Sequence, residues 1–460
     1  MDGRADAVVL FGATGDLVRK KLLPALYQMA RAGRLGVPVI GVARSAWDDE
    51  RLRMHARKAV EEVEGGVDEA AAGQLAASLS MLVGDYGDAG MYEQLASRLA
   101  DAQRPVFYLA IPPSVFPDVV RGLQASGLAA RGRVIVEKPF GRDLQSAREL
   151  NGHLAGAFDQ DSIFRIDHYL GKESVEGLLA FRFANAFLEP FWNRNHIAGV
   201  QITLGESFGT EGRAGFYDGV GAVRDVLQNH LLQVVALLAM EPPIADHADA
   251  YRDEEVKVLR QIEPLDPRNT VRGQYVGYLD EEGVRGSSTT ETFVSTRLTI
   301  ESWRWAGVPF YLRTGKHMPG SATEAVVELR RPPRLLFAGH EAAVPSANLV
   351  RFRLGHSDGV TLSVQAKAPG ARTVTQPVDL RVDFESALGH RREAYERLLD
   401  DAMDGRRHRF AREDTIDEEW RIVDPVLDLP DRPVPYYKGT WGPPSEQPAE
   451  GWHGVTLKGS

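Results

Sequence analysis

The sequence predicts an α/β fold: a Rossmann-type, doubly wound parallel sheet followed by a larger β+α domain with a mostly antiparallel sheet. Three observations predict it. Short apolar runs alternate with helical patterns through about the first 150 residues. A Gly-x-x-Gly turn, Gly12 to Gly15, follows the first of those runs. From Thr290 to Ser386, strand-like runs succeed one another, and no regular helical pattern separates most of them.

In chain order, Val8–Phe11 is an apolar run closed by Gly12, and a helical pattern runs from Leu17 to Ala32. Val39–Ala43, Leu79–Val83, Val106–Ala110 and Val134–Val136 read as further strands. Helical patterns at 51–63, 92–99, 115–123 and 144–154 alternate with them. Past Asp167 the pattern changes. A helix is expected at 175–186, a strand at 200–204 and a strongly apolar helix from Asp225 to Ala239. Strands are expected at 291–300, 310–312, 325–329, 349–354, 360–365 and 378–383. The chain then turns helical near 391–403 and ends rich in Pro and Gly.

Composition narrows the function classes. The 460 residues carry a formal charge of −10, with 43% hydrophobic and 26% charged residues, the balance of a globular protein of two or three domains. An acidic chain is not held on nucleic acid by a general basic field. With no cysteine, disulfides and thiolate chemistry are excluded. The longest apolar stretch, near Leu231–Met240, is too short to span a bilayer, and the polar start resembles no signal peptide. The expectation is a cytoplasmic protein without nucleic-acid or membrane partners.

Gly12, Thr14, Gly15 and Asp16 sit where a first strand turns into a helix, the place at which backbone N–H groups and the helix N-terminus receive a pyrophosphate. A plain helix-capping turn would read the same way. NAD binders usually end the second strand with an acid for the ribose 2′-OH. Here Ala43-Arg44-Ser45 stands there, and a cation beside a hydroxyl suits the 2′-phosphate of NADP. A solvated surface arginine is the other reading. Lys138, in Glu137-Lys138-Pro139, closes the last parallel strand, where cofactor and substrate would meet. Tyr108 is placed at the same rim or in the structure beneath it.

Asp167-His168-Tyr169-Leu170-Gly171-Lys172 gathers chemically capable side chains at the domain boundary. His168, Tyr169 and Lys172 could donate to a phosphate, and Asp167 could orient a histidine. On the apolar helix, Val223, Val226, Leu227, Leu231, Val234 and Leu238 form one stripe, and His230 falls inside it. A histidine there is buried and needs a partner, whether as a core residue or as a base. Asp225 falls outside the stripe. Only 10 of the 54 basic residues are lysine, yet Lys21, Lys138, Lys172 and Lys316 all lie in these motifs. A compact ammonium is being selected over the bulkier guanidinium.

Taken together, the motifs resemble the glucose-6-phosphate dehydrogenase family, in a divergent bacterial, actinobacterial-like form. The family's Gly-Ala-Ser/Thr-Gly-Asp-Leu is Gly12–Leu17, its Glu-Lys-Pro-Phe-Gly is Glu137–Gly141, and its Arg-Ile-Asp-His-Tyr-Leu-Gly-Lys-Glu is Arg165–Glu173. Arg182–Asn185, Trp192–Arg194, Gly209–Arg213, Arg224–His230 and Arg313–Lys316 follow in family order. The resemblance implies NADP-dependent oxidation of the C1 hydroxyl of glucose 6-phosphate to a lactone, the entry to the pentose phosphate pathway. His230 is then the general base and Asp167 its partner. His168, Tyr169 and Lys172 bind the phosphate, while Lys138, Glu206, Asp225 and Lys316 bind the sugar. Gly12, Thr14, Gly15, Asp16, Lys21, Arg44, Tyr108 and Lys138 serve the cofactor. No metal is expected. The implied domains are an NADP-binding one at 1–168 and a substrate-binding, dimerising one at 169–460, assembling as a homodimer or a dimer of dimers.

Two departures stand out. Family members commonly carry a second basic residue five positions after Lys316, where this chain has Ser321, and a sugar-binding glutamine of some members falls near Gly355. They motivate a second reading, a paralogue for another hexose phosphate or for unphosphorylated glucose. A non-catalytic regulatory paralogue is the third.

Overall fold

The computed structural model describes residues 3–333, 345–355, 358–370, 374–389, 391–444, 449 and 451–457. Two compact units emerge. One comprises residues 1–173, 244–252 and 392–417; the other comprises 174–243, 253–391 and 418–460. The division therefore differs from two contiguous segments meeting at 168.

The first unit holds a six-stranded sheet: β1 (Ala7–Phe11), β2 (Val39–Ala43), β3 (Leu79–Val83), β4 (Pro105–Leu109), β5 (Arg133–Glu137) and β6 (Ile163–Ile166). All neighbours are parallel, in the order β3-β2-β1-β4-β5-β6. Strands β1, β2 and β4 are buried at every position, as expected of a sheet covered on both faces. The order reverses between β1 and β4, the topological switch point at which such sheets bind dinucleotides. Aspartates start the connecting helices. Asp48 accepts from Arg51 N at 2.8 Å, Asp68 from Ala70 N at 2.9 Å, and Asp143 forms a capping box with Ser146.

The helix Ala394–Asp404 explains the late segment of this unit. Its Leu398, Leu399, Ala402 and Met403 join the core formed by Val8, Leu10, Val106, Ile135 and Phe164. Buried Arg133 donates to the last-turn carbonyls of Ala402 and Met403, at 3.2 and 2.6 Å. Arg4 pairs with Asp400 and Asp404 at 2.9 and 2.6 Å, and Arg34 pairs with Glu396 and Asp400.

The second unit holds a nine-stranded sheet: β7 (Ile197–Gly205), β8 (Thr270–Tyr275), β9 (Phe293–Leu298), β10 (Phe310–Gly315), β11 (Ala322–Leu329), β12 (Leu349–Arg353), β13 (Gly359–Lys367), β14 (Thr375–Asp383) and β15 (Val434–Tyr436). Its order is β14-β13-β12-β11-β7-β10-β9-β8-β15. Only β7–β10 and β8–β15 run parallel, so the sheet is mixed and mostly antiparallel.

The apolar helix belongs to this unit. It is π-helical over Val223–Leu231 and α-helical over Leu232–Ala239, with every residue from Val226 to Ala239 buried. Its C-terminal carbonyls have no partners within the helix and are met from outside. Arg182 donates to Leu237 O and Met240 O at 2.8 and 2.9 Å, Trp192 Nε1 to Leu238 O at 2.8 Å, and Trp305 Nε1 to Ala239 O at 2.8 Å. That is the physical content of the Arg182 and Trp192 motifs. Among the described residues, no helix is long and apolar enough to cross a membrane.

Candidate active site

In the first unit, the turn after β1 is shaped for close approach. Gly12 has φ 80°, and a Cβ there would meet the Ala110 carbonyl oxygen at 2.3 Å, so only glycine fits. Gly15 N closes the turn on Gly12 O at 2.8 Å, and the Thr14 hydroxyl lies 3.3 Å from that of Ser45. The turn thus joins the end of β2, where Arg44 and Ser45 are exposed. The first carboxylate beyond β2, Asp48, is engaged in capping its helix. Thr14 and Gly15 are half-buried beside exposed Asp16 and Lys21. Asp16 pairs with Lys20 at 2.9 Å along the helix surface. A tight glycine turn leading straight into a helix fits a nicotinamide dinucleotide.

Tyr108 is fully buried in the core, and its hydroxyl donates to the Glu137 carboxylate. In a sheet buried on both faces, nearness to a strand end does not bring a side chain to the rim. The Tyr108 side chain therefore lies beneath the rim, the second of the two placements the sequence allows. The carboxylate it holds is a residue the sequence reading passed over. Burial pushes Glu137 up to about 7, against the opposing pull of Tyr108, Lys138 and Tyr395.

The loop after β6 is internally tied. Buried Asp167 accepts from Tyr169 N at 2.9 Å, and its own carbonyl accepts from Leu170 N at 3.0 Å. Lys172 N donates to Tyr169 O at 3.0 Å, which brings the Lys172 ammonium to 3.9 Å from the Tyr169 ring centroid. Tyr169 is 4% exposed, so its ring is the floor under that cation. Burial lowers the Lys172 ammonium to about 8; Asp167 and Glu393 oppose the shift, and Lys21 and Lys138 add to it. His168 is half-buried, edge-on to Tyr169 with centroids 5.6 Å apart.

In the second unit, sheet register assembles the charged group. Gly205 of β7 lies opposite Gly315 of β10, and Glu206 N donates to Gly315 O at 3.0 Å. The next residues, Glu206 and Lys316, therefore leave the sheet side by side and form an ion pair. Asp225, in the first turn of the π-helical segment, reaches Lys316 at 3.3 Å. Burial alone would lower the Lys316 ammonium, but Glu206 and Asp225 outweigh it and hold it raised. Tyr217 and Phe208 line this group, with ring centroids 5.1 and 5.7 Å from Lys316 Nζ. Neither was singled out from the sequence, where no spacing marks them.

His230 is 4% exposed, as its place on the apolar stripe requires, and its backbone N–H donates to Asn229 Oδ1 at 2.7 Å. Ser321 is knitted into the structure: its hydroxyl accepts from Ser207 N at 2.9 Å and lies 2.9 Å from the Ser207 hydroxyl. Neighbouring His317 has φ 51°, and its imidazole fills the space a Cβ at Gly209 would take. Burial lowers the His317 imidazole, as does Lys438.

Comparison with known proteins adds the following. Residues 9–177 match the family model for the glucose-6-phosphate dehydrogenase NAD binding domain, and residues 179–451 match that for its C-terminal domain. The chain is 43% identical over 445 residues to glucose-6-phosphate 1-dehydrogenase 1 of Mycobacterium tuberculosis, covering 97% of this chain and 94% of the relative. It is 41% identical over 463 residues to glucose-6-phosphate 1-dehydrogenase of Dickeya dadantii, covering 95% and 94%. The crystal structure of the Mycobacterium avium enzyme superimposes with a TM-score of 0.90 at 44% identity, covering 99% of this chain and all of that one. A glucose-6-phosphate dehydrogenase solved with its substrate glucose 6-phosphate matches with a TM-score of 0.90 at 37% identity, covering 97% of each chain.

Proposed function

The chain belongs to the glucose-6-phosphate dehydrogenase family, and from that premise we propose that it oxidises the C1 hydroxyl of glucose 6-phosphate to the lactone with NADP. The observation that carries the reading is the Asp167–Lys172 loop. Its ammonium is half-buried and seated on an aromatic ring, and burial lowers it to about 8 although Asp167 and Glu393 oppose the shift. Such a group gains when a phosphate arrives.

His230 takes the C1 hydroxyl proton as general base, and Asp167 stabilises the imidazolium that results. Lys172 and His168 hold the phosphate. Glu206 and Asp225 accept from sugar hydroxyls, with Lys316 and Lys138 orienting the ring. The dinucleotide, when bound, supplies hydride acceptance. Gly12, Thr14 and Gly15 seat its pyrophosphate, and Asp16 and Lys21 flank that seat. NADP is favoured over NAD because Arg44 and Ser45 offer a cation and a hydroxyl at the end of β2, while Asp48 is committed to its cap.

The homodimer, or dimer of dimers, is proposed to form through the outer sheet. Val378, Leu380 and Val382 alternate along β14 and are 40%, 54% and 47% exposed, a continuous apolar face on an edge strand. The proposed location is the cytoplasm, in keeping with a cysteine-free chain.

Ser321 favours one alternative, a paralogue for unphosphorylated glucose or another hexose phosphate. Steady-state assays with both sugars and both cofactors, followed by the absorbance of the reduced nicotinamide, test all readings. The proposal expects kcat/KM to be highest for glucose 6-phosphate with NADP. A preference for glucose would promote the paralogue, and no turnover of any sugar would promote the regulatory reading.

A further inference from the structure

The helix Ala394–Asp404 does more than complete the core of its unit. The loop Asp167–Lys172 is cast against it. A Cβ on Gly171 would meet Leu398 Cγ at 2.8 Å and the Ala394 carbonyl oxygen at 3.2 Å, so the loop approaches as closely as glycine permits. Buried Arg397 donates to Gly171 O at 2.8 Å and lies 3.5 Å from Glu173. The helix itself is pinned by Arg133, Arg4 and Arg34, so it is a rigid template.

Tyr395 stands at the start of this helix and faces two ways. Its ring lies nearly parallel to the His168 imidazole, at 11° with centroids 6.3 Å apart. Its hydroxyl is hydrogen-bonded to Glu137, the carboxylate that Tyr108 holds from the other side. Glu137 immediately precedes Lys138 at the end of β5. One side chain thus bridges the loop after β6 and the strand end that bears Lys138.

We infer that Tyr395 is a positioning residue for sugar-phosphate recognition, its ring setting the His168 imidazole and its hydroxyl setting the Glu137–Lys138 strand end. The inference rests on the proposed function for the ligand's identity, but the geometry behind it lies wholly within the first unit. It divides the two halves of one side chain between two kinetic constants. The ring acts on the phosphate, which substrate and product both carry, and so on KM. The hydroxyl acts on the lysine beside the reacting carbon, and so on kcat.

The test compares Tyr395→Leu with Tyr395→Phe. Tyr395→Leu removes ring and hydroxyl together, so it should raise KM for glucose 6-phosphate about three- to tenfold, the worth of one aromatic pair, and also lower kcat as Tyr395→Phe does. Inhibition by inorganic phosphate should weaken in step. Tyr395→Phe keeps the ring and the packing. It should leave KM and phosphate inhibition within about twofold of wild type while lowering kcat about tenfold through a displaced Lys138. A rise in KM for Tyr395→Phe equal to that for Tyr395→Leu would reduce Tyr395 to core packing and overturn the inference, as would wild-type kinetics in Tyr395→Leu. Thermal unfolding separates this failure from failure of the functional reading. Inorganic phosphate should raise Tm of the wild type more than that of Tyr395→Leu even if no sugar is oxidised, and equal increments would overturn the inference by themselves.

Discussion

Lys172 is half-buried and Lys316 buried, one in each unit, and their ammoniums are shifted in opposite directions. Lys172 sits on an aromatic face, and burial, with Lys21 and Lys138, brings it down to about 8 against the pull of Asp167 and Glu393. Lys316 is also penalised by burial, but Glu206 and Asp225 hold it up. In the first, burial outweighs the nearby carboxylates. The second is a charge already neutralised, whose two carboxylates keep acceptor capacity for neutral hydroxyls. On the proposed function, the first suits a phosphate and the second suits neutral hydroxyls.

The largest expected effect leaves both lysines in place. His230→Asn should preserve binding of sugar and phosphate while lowering kcat about 10²–10⁴-fold, the usual worth of a general base. Near-wild-type kcat would move the base elsewhere. Removing the lysines in turn tests the comparison itself. Lys172→Ala should raise KM for glucose 6-phosphate about 10- to 100-fold, corresponding to a charge-assisted hydrogen bond of ~1.5–3 kcal/mol, and barely change turnover of glucose. Lys316→Ala leaves two carboxylates facing each other and should weaken both sugars about equally. If both substitutions discriminated by phosphate alone, the division of labour would be wrong.

The pH dependence sharpens it further. Lys172 is charged below its value of about 8 and loses its proton above it. Since the charged form binds phosphate, KM for glucose 6-phosphate should be flat below about pH 8 and rise above it, roughly tenfold per pH unit once well past that value. Lys316 is held in the other direction, so KM for glucose should show no break there. A common break for both sugars would point to a different group.

Much of this contrast was legible in the sequence. Lysines concentrated in the motifs of an arginine-rich chain marked both positions, and the apolar stripe placed His230 in the interior. The doubly wound order followed from alternation alone. What escaped had weak local signals. The helix Glu69–Ser78 is alanine-rich with no apolar period, and β6 is only four residues long. β15 has three residues and is paired by a chain that returns from afar. Tyr108 stayed open between rim and interior because periodicity cannot choose between the two faces of a fully buried sheet. Tyr395 carried no local mark, since its meaning depends on a helix that joins the first unit late in the chain.

The smallest effect concerns Ser321, where a cation common in the family is missing. Two structural facts decide the sign of replacing it. His317 is a weak source of the missing charge, because burial and Lys438 lower its imidazole against the pull of Glu211 and Glu281 and so favour its neutral form. Ser321 is itself bonded to Ser207 through the backbone N–H and the hydroxyl, so Ser321→Lys removes those contacts as it adds an ammonium. Both contacts are exposed and worth less than buried ones. A new charge-assisted contact to phosphate should therefore win, lowering KM for glucose 6-phosphate by up to about tenfold, equivalent to ~1.4 kcal/mol. Ser321→Ala is the companion variant, removing the Ser207 contacts without adding charge, and it should raise KM slightly or leave it unchanged. A gain for glucose as well as for glucose 6-phosphate would mean that the lysine works through the loop and not through the phosphate. With no gain for either sugar, the phosphate would be fully held by the Asp167–Lys172 loop, and Lys172 would carry even more of the discrimination than the comparison with Lys316 assigns to it.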